Sequence, residues 1–205
     1  MDIKKILSEL LRFIQRFGIA RGPYLFFRIR AISQKNITLP GIPYPFSLRK
    51  GTSDFDTFYQ AIIHNQYKFN YRIKPNVIID GGANIGLASI AFKEMFPNVK
   101  IIAVEPDQEN FQQLNKNVKP YKDIYTIQAG LWHENSILTM SDKYKAGKWG
   151  IVTEPAQQKS IDTIKAITIK QIMQDFNLDK IDILKLDIET SERELFSSGY
   201  SEWLP

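Results

Sequence analysis

Cysteine is absent from this chain of 205 residues, and histidine occurs only twice. Without cysteine the protein cannot form a disulfide framework, a thiolate nucleophile or a Cys-ligated zinc site, and two histidines are too few for a His-rich metal centre. No run of about 18 apolar residues is present, so we expect no membrane-spanning helix. Charged side chains interrupt the first apolar residues, so no signal-peptide core is expected either. These absences favour a cytoplasmic protein.

The composition is that of a globular domain, but the positive charge lies at one end. Hydrophobic residues make up 43% of the chain and charged residues 24%, which suits one domain with a small extension. Residues 1–50 contain ten Lys and Arg against two Asp and Glu, whereas residues 51–205 contain seventeen against twenty. Because the basic character belongs to the first segment alone, we expect no nucleic-acid partner.

Apolar residues recur at helical spacing in the basic N-terminal segment. They predict an amphipathic helix over residues 3–17, with a stripe formed by Ile3, Ile6, Leu7, Leu10, Leu11, Ile14 and Phe17. Gly18 is expected to end this helix. A second helix is predicted from about residue 23 to 32, and the prolines of residues 40–45 predict a linker.

This pattern divides the chain into a basic helical N-terminal extension, residues 1–45, and a main domain, residues 46–205. The apolar stripe has two interpretations. It packs on the main domain, or it lies in a membrane interface with its cations facing anionic lipid, as a peripheral contact through residues 1–30 at the inner membrane surface.

Strand-like segments alternate with helical patterns along the main domain. After a helix predicted at 55–67, the sequence predicts strands at 76–80, 100–104, 124–128 and 181–186, helices at 86–96, 107–117, 168–177 and 191–198, and a β-rich stretch between about 135 and 170. Such alternation predicts an α/β fold with a Rossmann-like, doubly wound and mostly parallel sheet.

The first of these strands runs into a glycine-rich turn, V-I-I-D-G-G-A-N-I-G, over residues 77–86. Glycine lets the backbone turn tightly and lets a ligand approach it closely. The turn departs from the dinucleotide-binding fingerprint because Ala83 stands where the second glycine belongs. A carboxylate at Asp80 would repel a pyrophosphate and suit an ammonium or sulfonium group. The pattern therefore points away from NAD and towards S-adenosylmethionine.

Two further strands also end in acids. Glu105 follows the second strand, 25 positions after Asp80, where an acid typically binds the ribose hydroxyls in doubly wound folds; the alternative is that it caps the next helix. Asp187 and Glu189 follow the last strand and would project to the same side of an extended segment. They either face a ligand at the carboxyl edge of the sheet or only favour the start of the next helix.

Taken together, these segments resemble the FkbM-type methyltransferases over roughly residues 46–199. The resemblance is carried by V-I-I-D-G-G-A-N-I-G-L-A-S-I-A-F, A-V-E-P-D-x-E-N-F-x-x-L-x-x-N and D-I-L-K-L-D-I-E-x-S-E, together with the lead-in L-R-K-G-T-S-D. It implies an S-adenosylmethionine-dependent O-methyltransferase with a Rossmann-like sheet. It also implies an acceptor hydroxyl on a sugar or a glycosylated metabolite, by analogy alone.

The resemblance also implies roles for individual residues. The cofactor loop would comprise Asp80, Gly81, Gly82, Asn84 and Gly86, with Glu105 at the ribose and with Ala129, Gly130 and Leu131 near the adenine. Asp187 and Glu189 would stand beside the methionine end and the acceptor, where a carboxylate can remove the hydroxyl proton. The sequence demands no metal site, although a divalent cation bridged by these last two acids is compatible with it.

Two departures from the family pattern stand out. Thr190 occupies a position that is usually glycine. The family's sheet normally has seven strands, yet Pro205 follows soon after the strand predicted at 181–186. We therefore expect the closing strands of the sheet to be missing, and the strand at 181–186 to be an exposed edge that promotes association.

Two other function classes remain open at this stage. One is a nicotinamide-dependent Rossmann enzyme, against which Asp80 and Ala83 argue. The other is a truncated, non-catalytic, membrane-associated interaction protein, which the segregated charge and the missing strands keep open.

Overall fold

The computed structural model describes residues 3–31, 36–141, 152–155, 163–188 and 191–204. In chain order its helices and strands are α1 (Ile3–Ala31), α2 (Asp54–Phe58), β1 (Val77–Gly81), α3 (Leu87–Met95), β2 (Lys100–Val104), α4 (Gln108–Val118), β3 (Ile124–Ile127), β4 (Gly130–Leu131), β5 (Ile137–Ser141), β6 (Val152–Pro155), β7 (Thr163–Ile167), α5 (Ile169–Asp175), β8 (Ile183–Leu186) and α6 (Glu192–Leu195). A π-helical turn, Tyr59–Ile63, continues α2.

A four-stranded parallel sheet in the order β3-β2-β1-β8 forms the centre of the fold. Because side chains alternate along a strand, the sheet buries a different set on each face. Ile78 and Ile101 pack with α1, α3 and α4, whereas Ile79 and Ile102 pack with α5 and α6. Helices on both faces of a parallel sheet confirm the predicted doubly wound, Rossmann-like α/β fold.

The helix predicted at 55–67 differs most from the structure. The regular α-helix ends at Phe58 and continues as a π-helix, in which each turn contains one more residue. The His64 amide accordingly donates to the Tyr59 carbonyl at 2.7 Å. Asn65 stops the element with φ at 52°, a left-handed conformation that asparagine tolerates better than most residues.

A second, smaller sheet follows the parallel one in the order β4-β7-β5-β6. β4 lies parallel to β7, whereas β5 is antiparallel to both of its neighbours. This sheet corresponds to the predicted β-rich stretch. β4 begins directly after Ala129, so the small sheet holds the segment 129–131 beside the carboxyl edge of the large one.

The N-terminal segment is a helical hairpin. The helix is interrupted at Gly18, where φ is 83°. In a straight helix the rings of Phe13 and Phe26 would lie about 20 Å apart, but their centroids are 5.5 Å apart, and Arg30 pairs with Glu9. The two arms therefore fold back on each other, and the second arm begins directly after Gly18, earlier than the sequence predicts.

The hairpin divides the apolar stripe of its first arm. Phe13 is 1% exposed and belongs to the same core as the sheet, and Ile6, Leu10 and Phe17 pack against that core. Ile3, Leu7 and Leu11 point away from it and are 80%, 56% and 51% exposed. One side of the stripe thus docks on the main domain, while the other stays in solvent. No helix among the described residues is both long and apolar enough to cross a bilayer.

β8 pairs with β1 on one side, and within the described residues no strand lies on its other side. Its residues are partly buried, because the α5 and α6 layer covers one face of the sheet. This agrees with the edge position that the sequence predicts for the last strand.

Docking of the first arm can be tested through Phe13. Phe13→Ala should lower the free energy of unfolding by about 3–5 kcal/mol, because it leaves a cavity in the shared core. Leu7→Ala on the exposed side should change it by less than about 0.5 kcal/mol. Urea unfolding followed by circular dichroism measures both, and equal effects would show that the arm does not dock.

Candidate functional site

A cavity opens at the carboxyl edge of the large sheet, where β1, β2 and β8 end. Together with the open solvent at its mouth, it encloses about 930 Å³ of space. Its wall is built from the glycine turn after β1, the acids after β2, the segment 129–131 and the residues at the end of β8. Thr57, Gln60 and Tyr67 close it from the side of α2.

Close backbone contact shapes the glycine turn. Gly82 adopts φ of 69°, and a Cβ atom at this position would overlap the carbonyl oxygen of Asp187, so only glycine fits. The amides of Gly82 and Ala83 both donate to the Val104 carbonyl at 3.0 Å. The Asn84 amide donates to Glu105 Oε2 at 2.8 Å. The turn is thereby fastened to the end of β2.

Asp80 occupies a different place from the one that the sequence argument assumed. It is fully buried and does not line the cavity. Its carboxylate accepts a hydrogen bond from Ser89 Oγ at 2.6 Å and lies 3.0 Å from Lys185 Nζ. Because Lys185 already balances its charge, Asp80 does not present a free carboxylate to the cavity, in contrast to the electrostatic argument from the sequence.

Gly81 and Gly86 also lie behind the wall of the cavity. A Cβ atom at Gly81 would crowd Leu131, and one at Gly86 would lie 2.7 Å from Leu114 Cδ1. Because they lack a Cβ atom, these two glycines let the turn pack closely against the neighbouring side chains. Of the five residues predicted for the cofactor loop, Gly82 and Asn84 line the cavity.

Lys185 was not among the site residues predicted from the sequence. Its side chain is 9% exposed, and its ammonium donates to the Gly82 carbonyl at 2.8 Å and to the Gly81 carbonyl at 3.2 Å. Burial alone would lower the pKa of Lys185, but neighbouring groups, above all Asp80, outweigh burial and raise it. One signal was available: a lysine interrupts an otherwise apolar strand, and it lies directly opposite Asp80 in the register of β1 and β8.

Glu105 lies in the wall of the cavity and is 5% exposed. Oε2 accepts from the Asn84 amide, while Oε1 accepts from the Asp107 amide at 3.0 Å and from Asn110 Nδ2 at 3.4 Å. Burial raises the pKa of Glu105 to about 7. A carboxylate offers about four acceptor positions, so at least one stays open to a ligand. Asp107 caps α4 by accepting from the Asn110 amide, so Glu105 is not the cap.

Behind Glu105, a hydrogen-bonded group of Arg49, Asp54 and Asn110 links the site to the lead-in segment L-R-K-G-T-S-D. Arg49 Nη2 donates to Asn110 Oδ1 at 2.6 Å and to Asp54 Oδ1 at 2.8 Å. Asp54 is completely buried; its ion pair with Arg49 holds the guanidinium in place, and the hydrogen bond to Asn110 joins the loop before α2 to the start of α4. Asn110 in turn contacts Glu105. Neither Arg49 nor Asn110 was among the predicted site residues.

The remaining predicted residues come from opposite sides of the cavity. Ala129, Gly130 and Leu131 line one side, beside Glu105. Asp187 lines the other, is 60% exposed, and its Oδ2 lies 3.9 Å from Lys185 Nζ. Glu189 and its neighbour Thr190 lie outside the described residues.

The lining is rich in hydrogen-bond acceptors. Asn84 Oδ1 is buried and has no hydrogen-bond partner within the described part of the chain, although its residue lines the cavity. Three acids, Glu105, Asp107 and Asp187, face a single cation, Lys185. Such a wall suits a ligand that donates hydrogen bonds and carries positive charge. Across the described residues, no cluster of three or more His, Asp or Glu is arranged to hold a metal ion.

The sequence that forms this cavity matches a known protein family. Residues 80–204 match the profile of the family described as methyltransferase FkbM domain. Among curated proteins, Methyltransferase sdnD from Sordaria araneosa is 27% identical over 150 residues, and Methyltransferase 1 from Beauveria bassiana (strain ARSEF 2860) is 25% identical over 139 residues. Each alignment covers 58% of this chain, which spans 58% and 56% of the lengths of these two relatives.

Among solved structures, methyltransferase FkbM from Methylobacillus flagellatus KT is similar with a TM-score of 0.44 and 16% sequence identity. That match covers 95% of this chain and 44% of the other. The profile match extends over more than half of the sequence and includes the glycine turn, the acids after β2 and the end of β8. The predicted resemblance is thereby confirmed: the chain belongs to the methyltransferase FkbM domain family.

Proposed function

We propose that this protein is an S-adenosylmethionine-dependent O-methyltransferase acting on a hydroxyl group of a sugar or a glycosylated metabolite. The acceptor-rich cavity at the carboxyl edge of the sheet carries the proposal. Family membership supports the reaction class. The saccharide acceptor rests on family analogy alone.

The lining residues fit the parts of this cofactor. Glu105 has acceptor capacity left for a ribose hydroxyl, and the apolar side chains of Ala129 and Leu131 suit the adenine ring. The unpartnered Asn84 Oδ1 suits a donor such as the ammonium group of the amino-acid end. Because a buried acceptor without a partner is unfavourable, this atom is the strongest sign within the cavity that a ligand completes it.

When bound, S-adenosylmethionine supplies a methyl group already activated by its sulfonium centre. The protein then has to align the acceptor hydroxyl with that methyl group and take up the hydroxyl proton. The raised pKa values of Lys185 and Tyr67 keep both side chains protonated at neutral pH, so neither is a base. Asp187, exposed at the mouth of the cavity, is our candidate to accept the proton, with Glu189 as the second.

The charges of the lining argue against a nicotinamide dinucleotide. A pyrophosphate would meet the carboxylates of Glu105, Asp107 and Asp187. The only cation in the described lining is Lys185, whose charge is already balanced by Asp80 and whose hydrogen bonds go to two carbonyl groups.

Contact with anionic lipid is a further part of the proposal. Ile3, Leu7 and Leu11 recur every four residues and so form one exposed ridge on the first arm of the hairpin. The exposed cations Lys5 and Arg12 lie on the same arm of the hairpin, and each cation near an anionic surface contributes about 1 kcal/mol. The arrangement suits a helix that lies along a membrane surface while its other side stays docked on the protein.

Cofactor binding can be tested by titration calorimetry with S-adenosylhomocysteine and with NAD. We expect binding of the first alone. Affinity should weaken as the pH falls below about 7, because a protonated Glu105 loses its charge as a hydrogen-bond acceptor, by up to about tenfold per unit. Glu105→Gln should raise the dissociation constant at pH 8 about tenfold or more and abolish this pH dependence.

Thermal unfolding of both proteins at each pH provides the control, because a change in folding would show there as well. Binding of NAD in place of S-adenosylhomocysteine would support the nicotinamide alternative. Binding of neither would support the non-catalytic alternative.

The role of Asp187 can be tested by comparing turnover with binding. Asp187→Asn should lower methyl transfer to an acceptor found by screening sugars and glycosides by about a hundredfold or more. It should leave the dissociation constant of S-adenosylhomocysteine nearly unchanged, because the carboxylate acts on the acceptor. Asp179→Asn is the control, because Asp179 is exposed and does not line the cavity. Full turnover by the Asp187 variant would place the base elsewhere.

Lipid contact can be tested by sedimentation with phosphatidylserine-containing vesicles. The wild-type chain should sediment at low salt and less so at high salt, whereas the Leu7→Glu, Leu11→Glu double variant should stay in the supernatant. Ile137→Glu is the matched control, because Ile137 is 59% exposed on β5. Point variants are preferable to deletion of the helix, which would also remove Phe13 from the core. Equal sedimentation of all three proteins would contradict the proposal.

A further inference from the structure

We propose that Lys185 is a positioning residue for the cofactor site. Its ammonium group holds the Gly81–Gly82 turn at the wall of the cavity and does not itself bind the ligand. This inference rests on the proposed function, since it concerns the same site, but its structural part can be tested in the protein without any ligand.

The ammonium group of Lys185 is surrounded by polar groups of its own chain. It donates hydrogen bonds to Gly82 O at 2.8 Å and Gly81 O at 3.2 Å, and it forms an ion pair with Asp80 Oδ1 at 3.0 Å. Asp187 Oδ2, at 3.9 Å, is too far away for a hydrogen bond. The charge of Lys185 is thus balanced by Asp80 and its hydrogen bonds go to the turn, although the side chain forms part of the cavity wall.

The turn connects this cation with the acid on the opposite side of the site. Lys185 fixes the carbonyl groups of Gly81 and Gly82 from the β8 side. The following amides, those of Gly82 and Ala83, donate to the end of β2, and the Asn84 amide donates to Glu105 at 2.8 Å. Loss of the ammonium would release the turn on one side and thereby loosen the groups that orient Glu105 and the Asn84 side chain.

Replacement of Lys185 alone would not be a clean test, because it would leave the fully buried Asp80 without a counter-charge, and an unpaired buried charge is strongly destabilising. The double variant Lys185→Met, Asp80→Asn removes both charges together. Its asparagine keeps an oxygen that can accept the hydrogen bond from Ser89. Fold stability should therefore be close to that of the wild type, while Gly82 O loses its donor and Gly81 O keeps the Asp187 amide, at 3.1 Å.

Lys93 offers a matched control within the same chain. Its ammonium also donates to two carbonyl groups and one carboxylate: Val99 O at 2.6 Å, Pro97 O at 3.1 Å and Asp123 Oδ2 at 3.3 Å. It is 7% exposed, but it lies in the last turn of α3 and does not line the cavity. Lys93→Met thus removes the same kind of interaction away from the site.

Three measurements on the full chain separate the roles: thermal unfolding, hydrogen exchange of the segment 82–86 without ligand, and calorimetric titration with S-adenosylhomocysteine. For the double variant we expect wild-type unfolding, faster exchange of this segment and an affinity reduced about tenfold or more. For Lys93→Met we expect a lower unfolding temperature, unchanged exchange of the segment and an affinity within about twofold of the wild type.

Unchanged affinity of the double variant would overturn the inference. Reduced affinity with unchanged exchange would overturn it too, because Lys185 would then act on the ligand directly. Equal losses of affinity in both variants would assign the effect to general destabilisation. If the wild type bound no S-adenosylhomocysteine, the proposed function would fail, while the exchange comparison would still decide whether Lys185 holds the turn.

Discussion

A buried ion pair between two neighbouring strands organises this protein. Asp80 ends β1 with no exposure to solvent, and a carboxylate in that position persists as a charge only beside a compensating cation. Lys185 supplies it from the directly opposite position of β8. The pair therefore links strands that are about a hundred residues apart in sequence, at the point where the glycine turn and the end of β8 lie side by side.

The sequence alone predicts the long strands of the large sheet, because their apolar patterns have one interpretation. β1 and β2 are apolar at successive positions, since helices cover both faces of the sheet, and the boundaries of β2 were predicted without error. The segment 55–67 was predicted less well. Its apolar spacing does not distinguish an α-helix from an α-helix that widens into a π-helical turn at Tyr59, because that difference depends on packing against α1 and α3.

The sequence predicts which strand ends form the site, but it does not predict which way the side chains at those ends point. Glu105, Asn84 and Asp187 reach the cavity as expected, because all follow strands whose carboxyl ends meet. Asp80 does not, since whether an acid faces a ligand or a lysine depends on its neighbour in space. Arg49 was overlooked for a related reason: its partners Asp54 and Asn110 belong to different elements, and no local pattern indicates that these elements touch.

The π-helical turn at Tyr59–Ile63 has a consequence for insertions and deletions. Thr57 and Gln60 face the cavity, while Ala61, Ile62 and Ile63 enter the core. The extra residue in the π-helical turn determines how far the cavity-facing residues are rotated about the helix axis relative to the core residues. Deleting a single residue there would restore regular helical hydrogen bonding but rotate Thr57 by about 100° relative to the core residues. The segment can thus vary in composition over evolution far more readily than in length, and a relative that differs by one residue here would need a different cavity wall.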